Sequence, residues 1–362
     1  MTSSGLRYPR DLGAWRRWHE ARHPLRRLRA AVRPSPPRPL WLAMRGEAPR
    51  LLVAIDAPTP TQIAALARPL EALGPVDAAV LAPNRLDGLL SGGWQWTALA
   101  AGPEAAVPDR LGAVRAILSA GHHLPAGALA DRWGADLGAE RLVAQHGLLT
   151  PYAPPIPHGA TLFAFSDADA EFVTNGRDDV VAVCTGSQLL WAAGSARARA
   201  ADAQGRPVYL GQLHGAELPR WGAARAAREF CRSTGAVYRP HPAEADLLSR
   251  IQHRAWELSG LEIDRGGAPM SRVDRPVVSA FSTGVLEAAA CGLPAWVFYP
   301  NPPRWLREFW ERYGMAPWGG EPTRPPFRDE LEPAALIAEH ISRRLGCEVR
   351  PHAWRRAQEG TP

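Results

Sequence analysis

Short apolar runs recur along this chain, and most of them stop at a glycine or a proline. "RLLVAID" (50–56), "VDAAVLAP" (76–83), "VRAILSAG" (114–121), "RLVAQHG" (141–147) and "DDVVAVCTGS" (178–187) hold their apolar residues in unbroken stretches. Continuous runs of this length predict strands covered on both faces. Between them lie segments of helical spacing. "TPTQIAALARPLEALG" (59–74) starts at a threonine cap and closes at glycine, and "AGALADRWGADLGA" (126–139) is a second. Strands alternating with helices predict a parallel sheet with helices on both sides.

A second series begins near residue 205. "RPVYLGQL" (206–213) reads as a strand, "AARAAREFCRSTG" (223–235) as a helix closed by Gly235, and "AVYRPHP" (236–242) as a strand and its exit. "RPVVSAFSTGVLEAAACGLPAWVFYP" (275–300) reads as strand, loop, helix and strand. Its stretch Pro276–Pro300 carries Glu287 as its sole charge, but its hydroxyls, glycines and Pro294 argue against a membrane span. The series Trp305, Leu306, Phe309, Trp310 and Tyr313 has helical spacing after a Pro-Pro pair and reads as core. The expected organisation is an arm over 1–40, two Rossmann-like halves over 41–195 and 196–345, and a tail over 346–362.

Composition adds little to fold class and more to partners. The 362 residues are 46% hydrophobic and 22% charged, ordinary for a globular protein of two domains. The net charge is +6, and every basic side chain other than histidine is arginine. That balance favours anionic partners. The four cysteines (184, 231, 291, 347) are far apart, which argues for reduced thiols in a cytoplasmic protein rather than a disulfide frame or a zinc site. The arm holds ten arginines, with Trp15 and Trp18 among them, and ends in the stiff "RPSPPRPL". Two readings of the arm stand: a helix packed on the body, or a basic segment that touches anionic lipid at the inner face of the membrane.

In open parallel sheets, ligands bind beyond the carboxyl ends of the strands. Four polar clusters fall there: "SAGHH" (119–123), "AQHG" (144–147), "YRPHP" (238–242) and "SAFSTG" (279–284). Ser279, Ser282, Thr283 and Gly284 lead into a helix start, where free N–H groups and the helix dipole favour a phosphate. Glu287, about one turn in, can accept from ribose hydroxyls. A plain helix start, with Gly284 as its cap and Glu287 in the third position, fits the same residues. Pro240 and Pro242 hold His241 outside the strand's hydrogen bonding, and Arg239 adds a cation beside it. A rigid turn with an exposed histidine is the plainer reading. His146 is placed as a general base, and His122 and His123 as acceptor-side groups. His158 reads as structural. Asp167-x-Asp169 has the spacing of a metal-binding carboxylate pair but is not assigned that role. No metal or cofactor is expected.

The "QHG", "RPHP" and "SAFSTGVLEAAACGLPAWV" segments together resemble the GT-B superfamily. More narrowly, they are similar to the CDP-glycerol glycerophosphotransferase and bacterial polysialyltransferase group. The resemblance implies two Rossmann-like domains with parallel sheets facing a central cleft. It implies His146 as candidate base, His241 as the histidine of the His-Pro motif, Ser282 and Thr283 (less closely Ser279) as the serine motif, and Glu287 as a ribose-binding acid. The expected activity is metal-independent transfer of a sugar or polyol-phosphate from a nucleotide-activated donor, a cytidine nucleotide in that group, to a cell-surface glycan or its lipid-linked precursor. Two alternatives stand beside it: nucleic-acid binding through the arm, and sugar-nucleotide epimerisation on the same fold.

Overall fold

The computed structural model describes residues 8–22, 39–195, 205–213, 215–266, 270–326 and 331–347. Six of the arm's arginines, most of its proline-rich connector and nearly all of the expected tail lie outside the described residues. The chain divides into two units. One comprises Ser35–His146, Pro154–Gln188 and Glu330–Pro362; the other comprises Met1–Pro34, Gly147–Ala153 and Leu189–Asp329.

The first unit is built on eight strands: β1 (Leu40–Arg45), β2 (Leu51–Ala54), β3 (Ala78–Ala82), β4 (Gln95–Leu99), β5 (Ala116–Ser119), β6 (Glu140–Ala144), β7 (Thr161–Ala164) and β8 (Val181–Cys184). Their spatial order is β4-β1-β3-β2-β5-β6-β7-β8. From β3 to β8 all pairings are parallel. β1 runs antiparallel to both β3 and β4, so the sheet is mixed and corrects the expectation of a purely parallel one. The central strands β2, β3 and β5 are buried along their whole length, which is why they read as unbroken apolar runs. β4 is mostly exposed, the pattern of an edge strand.

Helices follow two of the central strands, β2 and β5. After β2, α2 (residues 60–72) starts at Thr59, whose side chain accepts from Gln62 N, and winds its middle turn, Ile63–Ala67, as a π-helix. Pro69 lacks an N–H and would collide with the carbonyl four residues back, so the wider turn accommodates it. After β5, α3 (Pro125–Leu137) closes at Gly138 in the left-handed conformation. Asp167–Thr174 forms α4, with Asp169 buried and Asp167 exposed, so the two carboxylates do not converge.

The second unit carries a parallel sheet of β9 (Val208–Leu210), β10 (Val237–Arg239), β11 (Val277–Ser279) and β12 (Ala295–Val297), in the order β10-β9-β11-β12. Its helices are α1 (Leu12–Ala21), α5 (Gln188–Ser195), α6 (Arg220–Thr234), α7 (Leu247–Leu258), α8 (Thr283–Ala290) and α9 (Arg304–Arg312). α6 and α7 cover one face of the sheet, where Phe230 and Trp256 pack with Tyr209, Tyr238 and Val278. α8 and α9 contribute to the core on the other face, around Val277, Trp305, Leu306 and Phe309. α1 lies against this unit: Trp15 Nε1 donates to Tyr152 O at 2.7 Å, and Trp18 stacks on the Tyr152 ring at 4.9 Å.

The last helix among the described residues, α10 (Pro333–Leu345), does not finish the second half. Its Ile337, Ala338, Ile341 and Leu345 complete the core of the eight-strand unit, and Gln188 Oε1 accepts from Ala334 N at 2.9 Å. The expected boundary at 345 is corrected accordingly, because an amphipathic helix is placed by its apolar stripe and not by its position in the chain. None of the helices among the described residues is long and apolar enough to cross a membrane.

Candidate functional site

In chain order the strands of the second unit lie 2-1-3-4, so the winding reverses between β9 and β11. Such a reversal opens a crevice beyond the carboxyl ends of the two strands. β9 exits there into Gly211 and Gln212. Gly211 N donates to Arg239 O at 2.7 Å. A Cβ at this position would lie 2.2 Å from the Tyr238 hydroxyl and 2.7 Å from Glu244 Oε1, so only glycine fits. Gln212 then bridges the crevice floor. Its Oε1 accepts from Phe281 N at 2.9 Å and lies 3.1 Å from Ser279 Oγ. Ser279 is fully buried, and its single hydroxyl proton serves Leu210 O and Gln212. It positions the loop and has no surface to offer a ligand.

The next residues do face outward. Ser282, not Gly284, caps α8, accepting from Gly284 N at 3.1 Å. Gly284 is the second helical residue, and a Cβ there would meet Leu210 Cδ1 at 2.6 Å. Its role is close approach of helix to strand. Thr283 is partly exposed at the first helical position. Glu287 lies on the same helix face as Thr283, one turn on, beyond the third position. Burial pushes its carboxyl up to about 7. From the other side of the loop, Trp310 Nε1 donates to Ala280 O at 2.7 Å and anchors the turn that presents Ser282.

β10 exits on the far side of β9. Here Arg239, Pro240 and His241 enter a turn closed by Glu244 N donating to His241 O at 2.8 Å. His241 Nδ1 accepts from Ala243 N at 3.1 Å, which places the proton of the neutral ring on Nε2. Burial of part of the ring lowers its pKa, and the Glu244 carboxylate partly opposes this. The imidazole is therefore neutral at pH 7, and Nε2 is its donor. The turn itself hangs on Glu244, which is buried. Its Oε1 accepts from Leu213 N at 2.9 Å, and its Oε2 accepts from the Tyr238 hydroxyl at 2.8 Å and lies 3.1 Å from His253 Nε2. One carboxylate thus fixes both the His241 turn and the loop after β9.

The eight-strand unit reverses between β2 and β5, and its crevice is built differently. Asp56 follows β2. Its Oδ1 accepts from Ala126 N at 2.7 Å and its Oδ2 from Gly127 N at 3.1 Å. The protein's own carboxylate thus sits on the N-terminus of α3, where an anion would bind. Burial raises the Asp56 pKa, and the two amides work against that rise. Gln62 Oε1 accepts from Asp56 N and Ala57 N and holds the loop in place. His122 and His123 stand beside this plugged helix start, with His122 Nδ1 4.0 Å from Asp131 Oδ2. His158 is exposed and pairs with Asp179 at 2.9 Å, as a surface contact.

His146 follows β6 as the last residue of its stretch in this unit. Burial holds its imidazole down at about 4, so it is unprotonated, the form a general base requires, but with low proton affinity. The preceding Gln145 is buried, donating to Asp169 Oδ2 at 2.9 Å and accepting from Phe165 N at 2.9 Å. Asp56, Gln62, Gln212 and Glu244 were not among the residues singled out from sequence. Each is a polar residue directly after a strand or on the first turn beyond it, which is the one local signal they carry. The cysteines form no disulfide; Cys231 and Cys291 are buried and Cys184 is exposed.

No protein-family model matches the chain, and no curated protein matches it.

Proposed function

We propose that the protein is a GT-B-type transferase whose four-strand unit holds the phosphate of a nucleotide-activated donor. One observation carries the reading: the two winding reversals are unequal. In the eight-strand unit Asp56 occupies the helix start, and a phosphate there would meet a carboxylate. In the four-strand unit the α8 start is capped by a hydroxyl, and the neutral His241 ring is held as an Nε2 donor along the same sheet edge. This supports the four-strand unit as the donor half and the eight-strand unit as the acceptor half.

In the proposed reaction an acceptor hydroxyl gives its proton to His146 while its oxygen bonds to the donor's electrophilic centre. The bond from that centre to the nucleotide's phosphate oxygen breaks, and its electron pair leaves with the phosphate. His241 Nε2–H, the Ser282 and Thr283 hydroxyls and Arg239 receive the charge that develops there. Glu287 hydrogen-bonds the ribose. The transferred group is a sugar or polyol-phosphate, and the acceptor is a glycan or its lipid-linked precursor. The resemblance to the glycerophosphotransferase and polysialyltransferase group favours a cytidine donor.

The test is calorimetric titration with CMP, CDP, UDP, GDP and ADP, followed by nucleotide release from the matching donor. His241→Ala should weaken nucleotide binding at least tenfold. His146→Ala should bind nucleotide as the parent does and lose turnover by about a hundredfold or more. Unchanged turnover in both variants would remove the mechanism.

A further inference from the structure

Helix α7 is amphipathic in the unusual sense that its large aliphatic residues point outward. Ser249, His253 and Trp256 face the core. Leu247, Leu248, Ile251 and Leu258 are 64%, 53%, 57% and 75% exposed. Residues 247, 251 and 258 share one helical face. Arg250 and Arg254, also exposed, border that face on one side.

Helix α6 lies on the same face of the sheet and is tied to α7 through Arg220, whose guanidinium donates to Ser249 Oγ at 3.0 Å. The outer side of α6 reads Trp221, Arg225, Arg228 and Arg232, spaced four, three and four apart and all exposed. Trp221 is 72% exposed. The outward sides of the two helices together carry four exposed aliphatic side chains, three of them on one face of α7, with a tryptophan and five exposed arginines. Two exposed acids lie among them, Glu229, which pairs with Arg225, and Asp246 at the start of α7, which pairs with Arg220; Glu257, half-buried, pairs with Arg254 and Arg265.

We propose that the outer face of α6 and α7 docks on an anionic lipid surface. The aliphatic residues enter the boundary of headgroups and acyl chains, the tryptophan sits at that boundary, and the arginines meet lipid phosphates. Charge selects this occupant over a second copy of the chain, because a two-fold contact through the same patch would set arginines against arginines. The proposal concerns α6 and α7, not the N-terminal arm, whose described tryptophans are engaged with Tyr152. It does not depend on the transferase reading, since it is read without turnover.

The experiment is co-sedimentation of the full chain with vesicles of phosphatidylcholine alone and of phosphatidylcholine mixed with phosphatidylglycerol. The parent should bind the mixed vesicles, weakly or not at all the neutral ones, and progressively less as salt rises. Leu247→Gln/Ile251→Gln/Leu258→Gln should fold with unchanged circular dichroism, since all three side chains are exposed, and should bind at least tenfold more weakly. Arg250→Ser/Arg254→Ser should bind about fivefold or more weaker and lose part of the salt dependence. The proposal is overturned if the triple variant binds as the parent does. It is overturned equally if the parent ignores anionic vesicles, if Arg16→Ser/Arg17→Ser abolishes binding while the triple variant keeps it, or if the parent is a dimer that the triple variant dissociates.

Discussion

Burial holds the Glu287 carboxyl near 7, well above its ordinary value of 4.5, and this has a definite sign for stability. The folded state retains a proton that the unfolded chain has released. Glu287 therefore costs nothing below about pH 4.5, destabilises progressively as pH rises through about 7, and costs no more once the folded carboxyl is ionised. Glu287→Gln should leave stability unchanged at the acid end and raise it by up to about 3 kcal/mol above pH 7, read from urea midpoints across that range. An unchanged pH profile in the variant would mean the carboxyl is solvated. Glu244 is a buried acid with three hydrogen-bonding neighbours. Glu244→Ala should cost about 3–5 kcal/mol, because the Leu213 amide and the Tyr238 hydroxyl lose their acceptor, and nucleotide affinity should fall with it. Glu244→Gln, which keeps an acceptor, should recover most of the stability. The turn at His241 and the helix start at 282–284 were legible in the sequence, because proline and a hydroxyl-glycine run have local signatures, although the cap is Ser282 and not Gly284. Glu244 was not, since nothing in "HPAEAD" distinguishes a buried acid from an exposed one. What decides its burial is Tyr238 and Leu213, which approach it only once β9 and β10 pair.

At the scale of elements, the starts of α3 and α8 show how one local motif takes two fates. Both helices follow a strand at a winding reversal, and both begin with small residues. At α3 the partner is Asp56, seventy residues earlier in the chain than Ala126. Asp56→Ala should cost about 1–3 kcal/mol, as two amides lose their acceptor. It should also create an anion site: added sulfate should raise the melting temperature of this variant more than that of the parent. Equal sulfate effects would mean that the amides are not reachable once the carboxylate is gone. At α8 the cap is local, and Ser282→Ala should cost about 1 kcal/mol in thermal or urea unfolding. β2, β3 and β5 were legible because burial on both faces leaves unbroken apolar stretches. β8 was legible as a strand but is not, as expected, covered on both faces. β1 and β4, the antiparallel pair at one edge of the sheet, were not anticipated as strands, because β1 is buried at only three of its six residues and β4 is mostly exposed. β7, at "TLFA" (161–164), was hidden by its flanks, a proline-rich loop before and an acidic helix start after. The helix over 304–312 was anticipated as core, and its Trp305, Leu306, Phe309 and Trp310 are buried together.

For the molecule as a whole, the two units repeat one winding rule with different furnishings. Parallel strands in chain order lie 2-1-3-4 in the four-strand sheet, and the parallel part of the eight-strand sheet follows the same course. A side chain spans each reversal, Asp56 in one, its loop held by Gln62, and Gln212 in the other. The sequence predicted two such halves but not that the chain returns: Pro333–Leu345 completes the core of the unit that began near residue 40. A crossover of this kind rests on matching an apolar stripe to a distant sheet, which no local window contains. The asymmetry between the reversals leads to a measurement on the intact chain. Hydrogen exchange followed by mass spectrometry, with and without a nucleoside diphosphate, should show slowed exchange over residues 211–213, 239–244 and 281–287. Residues 54–57 and 120–127 should exchange as before, because Asp56 already occupies the Ala126 and Gly127 amides and Gln62 those of Asp56 and Ala57. Slowed exchange over 120–127 with none over 281–287 would assign the nucleotide to the eight-strand unit, and the role of the two halves would have to be exchanged.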